Sequence, residues 1–89
     1  MNSNQVVDYE TLEEIINCIK VNQTSFKEAN SAIKKLTKRK KLVYSKVMQF
    51  VRVLLSGRNE GLPVKDMIEL LGSEEALKRL YHGLENLNT

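Results

Sequence analysis

The residues with the most chemical potential lie in "VMQFVRVLLSGRNEGLP", positions 47–63, where an apolar run carries Arg52 and then opens into a loop with Arg58. A core rejects an unpaired guanidinium, so Arg52 needs another explanation. At helical spacing Ser45, Gln49, Arg52 and Ser56 fall at i, i+4, i+7 and i+11, one polar stripe with Lys46 beside it. Arg52 then stands on a rigid helix one turn from a loop in which Gly57 and Gly61 let backbone N–H groups approach a ligand. Recognition of an anion or of a base edge by Arg52, Arg58 and loop backbone suits that arrangement. The alternative is a guanidinium that snorkels outward and pairs with Asp66 or Glu69.

The charge distribution favours a polyanion. Net charge is +3, yet residues 29–58 hold nine bases and no acid, while residues 1–28 and 59–89 each carry a net −3. A basic middle between acidic flanks points to a polyanionic partner, against the bland reading of a solvated lysine-rich turn. Catalysis has few candidates. His82 is the sole histidine and Cys18 the sole cysteine, so no metal-ligand set and no Ser/His/Asp or Cys/His arrangement can be assembled. The carboxylates cluster at helix starts, and no phosphate-binding glycine motif is present. One cysteine implies no disulfide framework and fits the reducing cytoplasm. Met1 to Gln5 gives no reason to expect a signal peptide, and no run approaches the roughly 20 apolar residues of a membrane span.

The elements that must position Arg52 are helical. Eighty-nine residues suit one domain, and the apolar periodicity predicts an all-α, single compact bundle of about five helices. Asp8 caps the first, with Leu12, Ile15, Ile16 and Ile19 on one face and Cys18 beside it. Thr24 or Ser25 caps the second, Glu28 completing a capping box, and Phe26, Ala29, Ile33 and Leu36 form its apolar face. "KKLTKRKK" closes that helix with cations in its last turn. Leu42 to Ser56 reads as a third helix so rich in apolar residues that it should be the most buried, ending at Gly57. Val64 to Leu71 follows Pro63, and Ser73 caps a fifth helix whose face is Leu77, Leu80, Tyr81 and Leu84. The tail 85–89 should fray.

At "VRVLLSGRNEGLPVKDMIELLGSEEALKRL" the chain resembles the end of bacterial-type glutamyl-tRNA synthetases, whose last segment follows an "LRVALTG…HGP.L…LELLG.EEALRRL"-like pattern. The likeness covers roughly 47–80; upstream, 8–46 fits only as helices of suitable length. Ser56 stands where threonine is usual, Phe50 where a proline commonly begins the segment, and "GLPV" where "GP.L" is usual. The resemblance implies the C-terminal part of a class I synthetase's anticodon-binding α-helical cage, a fragment or a stand-alone module.

It further implies that Arg52, Gly61, Leu62 and Val64 lie against anticodon bases. Lys38, Arg39, Lys40, Lys41, Lys46 and Arg58 are added on charge, as contacts to RNA backbone. With no tryptophan, stacking would rest on arginine planes, apolar loop residues or Tyr44. The implied partners are tRNA(Glu), with tRNA(Gln) as a second candidate, and the catalytic domain of the same polypeptide. No membrane partner is expected, and the chain should be a monomer. The nucleotide-binding HIGH and KMSKS signatures are absent, so no cofactor is expected here. ATP and Mg2+ would serve the parent ligase's catalytic domain, and this chain alone should not be an enzyme.

Two other readings stand beside this one. The bundle could be a protein-interaction module. "PVKDMIELLGSEEALKRL" also resembles a DNA-binding helix-turn-helix, although Glu74 and Glu75 would lead its second helix toward phosphates and its turn is one residue short.

Overall fold

In the computed structural model, which describes residues 7–57 and 62–87, the Thr11 N–H donates to Asp8 Oδ1 at 2.8 Å and starts helix α1 (Tyr9–Val21). Leu12, Ile15, Ile16 and Ile19 are buried along one face, as their spacing predicts. Val7, just before the cap, is also fully buried, and with Leu12 it occupies the two positions of a hydrophobic staple. Helix α2 (Phe26–Arg39) starts differently from expectation. Ser25 holds the N-cap position but its side chain makes no capping bond, so the capping box with Glu28 does not form. The Glu28 and Ala29 N–H groups reach the Ser25 carbonyl instead, each at 3.2 Å. Burial of Ala29, Ile33 and Leu36 supplies what the missing cap does not.

The end of α2 explains why the next helix starts late. The Leu42 N–H donates to the Thr37 carbonyl at 2.8 Å and the Lys41 N–H to the Lys38 carbonyl at 3.2 Å, the two bonds of a Schellman motif. Lys41 takes the left-handed conformation this motif needs, with φ 59°. Residues 41 and 42 therefore belong to the turn, and α3 (Tyr44–Ser56) begins two residues after the expected Leu42.

Helices α4 (Val64–Leu71) and α5 (Ser73–Leu87) complete the bundle, with no strand among the described residues. Helix α1 packs on α2 and α5, while α3 packs on α2, α4 and α5. Helix α3 is not the most enclosed helix. Val47, Met48, Val51 and Leu55 are buried, but Val53 is 39% exposed because the neighbours leave one apolar edge of α3 open. Gly72 both closes α4, its N–H bonding the Ile68 carbonyl at 2.8 Å, and opens α5, its carbonyl accepting from the Ala76 N–H at 3.0 Å. Ser73 is thus in the first turn of α5 rather than capping it. The buried face of α5 is Ala76, Leu80, Gly83 and Leu84, and Tyr81 is 41% exposed. Gly83 points inward where α3 comes close: a Cβ on it would lie 2.5 Å from Leu54 Cδ2. Residues 85–87 remain helical where fraying was expected, with Leu87 packed partly buried against the core.

Replacing Lys41 by glycine should raise stability by about 0.5–1 kcal/mol, since only glycine holds a positive φ without steric cost. Gly83→Val should lower it by roughly 1–3 kcal/mol by forcing Leu54 away. Urea denaturation of both variants measures each change.

Candidate functional site

The stripe inferred from spacing is real: Ser45, Gln49 and Ser56 are exposed and Arg52 is half-buried on the same side of α3. The Ser56 hydroxyl donates to the Arg52 carbonyl at 2.9 Å. Gly57 ends the helix at φ 82°, its N–H on the Val53 carbonyl at 2.6 Å. A clamp from α5 holds this end in place. Arg79 Nη1 donates to the Leu55 carbonyl at 2.6 Å while its Nε donates to Glu75 Oε2 at 2.9 Å.

Arg52 lines a groove of 330 Å³ with Ser45, Met48 and Gln49 of its own helix. The opposite walls are Phe26 and Asn30 from α2, Tyr44 at the start of α3, and Pro63, Val64 and Lys65 at the start of α4. No carboxylate lines it among the described residues. The Tyr44 hydroxyl donates to Asn30 Oδ1, and the Lys34 ammonium lies 5.3 Å from the centroid of the Tyr44 ring. Burial pushes the Tyr44 hydroxyl pKa up, with the Asn30 hydrogen bond opposing it, so the phenol stays neutral at physiological pH. A half-enclosed, donor-rich groove with one aromatic wall is suited to a planar ligand whose edge carries acceptors.

The other sequence-derived candidates divide into groups. Val64 is 3% exposed and forms groove wall, whereas Leu62 is 45% exposed and is not part of the groove lining. Arg58 and Gly61 lie outside the described residues. Lys38, Lys41 and Lys46 are exposed and make no ion pair among the described residues. Arg39 and Lys40 are engaged by α1: Arg39 Nη2 bonds Glu14 Oε1 at 2.6 Å, and Lys40 Nζ lies 3.2 Å from Glu14 Oε2 and 3.6 Å from Glu10 Oε1. Two of the five described cations of this cluster are therefore paired within the fold. A larger cleft of 660 Å³ on the α1–α2 seam is lined by Glu13 and Glu14 together with Lys35 and Arg39, a balance of charge that gives a polyanion no net attraction there. At the start of α5, Glu74 and Glu75 oppose phosphate, against the helix-turn-helix reading.

Sequence reasoning missed Asn30, Lys34 and Lys65. Their polar character was legible, but helix packing alone brings Asn30 and Lys65 into the groove with Arg52, and Lys34 over the Tyr44 ring.

The carboxylates that hold this basic cluster carry a pH signature. Burial pushes the Glu14 carboxyl up, but hydrogen bonds from Lys40 and Arg39 and their charges outweigh it and bring it below its ordinary value. Asp8 is lowered by its bonds to Thr11. Depressed folded values mean that their stabilisation is complete above the ordinary carboxylate range, about pH 4, and is lost as pH falls through the lowered values. Urea midpoints should therefore fall on acidification below about pH 4. Glu14→Gln should be less stable at pH 7 and lose less over that interval.

Three comparisons bear on this geometry. A family model described as an anticodon binding domain matches residues 1–84. Glutamate–tRNA ligase 2 of Helicobacter acinonychis (strain Sheeba) is 31% identical over 71 residues, covering 76% of this chain. The chain spans about 15% of that relative's length. No solved structure matches it significantly.

Proposed function

Because this chain belongs to the anticodon-binding domain family, we propose that it grips the anticodon stem-loop of tRNA(Glu) as the C-terminal domain of a glutamate–tRNA ligase. The observation that carries this reading is the groove in which Arg52 faces the start of α4, with no carboxylate lining it among the described residues. Unstacked loop bases are the usual target of sequence-specific RNA recognition, and a guanidinium on a fixed helix can read their edges. Gly61, Leu62 and Val64 would shape the loop side of that contact. Lys38, Lys41, Lys46 and Arg58 would meet backbone phosphate, adding affinity but little sequence information. Arg39 and Lys40 would contribute only by exchanging Glu14 for a phosphate.

Activation of glutamate, with ATP and Mg2+, would belong to the catalytic domain of the same polypeptide. tRNA(Gln) is the second candidate substrate, distinguished by direct competition between the two stem-loops.

Arg52→Ala should cost about 1–3 kcal/mol of binding to the tRNA(Glu) stem-loop and relax preference for it over a scrambled loop. Lys46→Ala should weaken both RNAs alike and reduce the salt slope by roughly one. Fluorescence titration across a salt series reads both. Identical behaviour of the two variants toward cognate and scrambled loops would remove Arg52 from base reading. Binding of neither RNA by the unaltered chain would favour a protein-docking role.

A further inference from the structure

The groove contains a hydrogen-bonded pair of which only Tyr44 was a candidate from the sequence. Asn30, from the middle of α2, meets Tyr44, from the first turn of α3, through a hydrogen bond in which the tyrosine hydroxyl donates to Asn30 Oδ1. With its oxygen engaged by Tyr44, the amide of this groove-lining residue has its Nδ2 donors left to offer a ligand. Arg52 and Lys65, which line the same space, are donors only. The Tyr44 ring is tethered twice, by Asn30 at its hydroxyl and by the Lys34 ammonium 5.3 Å from its centroid. A ring restrained at two points is a pre-ordered surface for stacking, which spares a ligand the cost of ordering it.

We propose that Asn30, held by Tyr44, is a specificity-determining residue of this groove and selects an RNA base whose edge carries two adjacent acceptors. Cytosine, through O2 and N3, and guanine, through O6 and N7, present such edges. Adenine and uracil put an N–H group next to each acceptor of their base-pairing edges and bring donor against donor. Tyr44 supplies the stacking face and Arg52 the second donor. The proposal rests on the anticodon-loop reading above and adds to it a residue upstream of the 47–80 stretch whose motif is legible by eye.

The test uses the whole 89-residue chain and a synthetic tRNA(Glu) anticodon stem-loop, with a panel in which each loop base is replaced in turn. Fluorescence anisotropy gives the ratio of cognate to substituted binding, and circular dichroism checks that each variant is folded. The unaltered chain should lose binding roughly five- to hundredfold where a cytosine or guanine is replaced by adenine or uracil. Asn30→Asp keeps an acceptor for Tyr44 but turns the amide donors into an acceptor. It should abolish most of that ratio and move the preference toward adenine, whose amine can donate. Asn30→Ala, which adds no charge, should flatten the ratio without moving it, and Tyr44→Phe should lower it in part while keeping the ring. A purely structural role for Asn30 would weaken all loops equally and leave the ratio intact. Ratios unchanged within about twofold in both Asn30 variants, with discrimination by the unaltered chain intact, would overturn the inference and leave the anticodon reading standing. An unaltered chain that binds every loop alike would overturn both.

Discussion

The groove depends on the seating of α3. An isolated helix of 13 residues is marginal in water, so the rigidity of the platform under Arg52 comes from packing rather than from propensity. Val47, Val51 and Leu55 are essentially inaccessible, and each such side chain contributes about 1.5–3 kcal/mol of burial free energy. The inward-facing Gly83 lets α5 come close enough to receive Leu54. Arg79 then bonds the Leu55 carbonyl, one of those that no intrahelical partner satisfies at a helix C-terminus. With its inner edge buried and its end clamped, α3 must carry Ser45, Gln49 and Arg52 outward. Helices α2 and α4 flank that outward strip, and the space between them is the groove.

Electrostatics then divide the surface. Contiguous cations at 38–41 look equivalent in one dimension, yet the fold gives them different surroundings. Glu14 and Glu10 project from α1 onto Arg39 and Lys40, and the local field there is close to neutral. Such exposed pairs add little to stability, because water and salt screen them. Their larger effect is on where positive potential remains among the described residues of this region: around Lys38, Lys41 and Lys46. A polyanion approaching the domain meets three exposed lysines beside a charge-balanced α1–α2 seam rather than a uniformly basic face.

The family match covers residues 1–84 and therefore the whole groove, but the motif that announces it and the groove are not equally legible in the sequence. The family-like motif runs from α3 into α5, but two of the groove's walls come from α2 and from the first residue of α3. Segment 8–46 reads as generic helix because amphipathic periodicity reports only which residues face inward. Its contribution to the site is polar, sits outside that periodicity, and depends on the crossing of α2 and α3.

The sequence alone determined the helix count, the cap at Asp8, the inner face of α1 and the polar stripe bearing Arg52. Each follows from periodicity or local hydrogen bonding, which act within a few residues and leave their mark in residue type and spacing. Tertiary structure decided the rest. Lys41 adopts a left-handed conformation without the glycine that would have announced it, because two backbone bonds at the end of α2 demand it. Tyr81 lost its inward place to Gly83, since the distance between α3 and α5 favours the smaller residue. Arg39 and Lys40 were claimed by Glu14, which is 25 residues from Arg39 and one packed helix away. The meeting of Asn30, Tyr44 and Arg52 has the same origin. Contacts between side chains on different helices depend on crossing geometry and fine packing, and no local pattern encodes those.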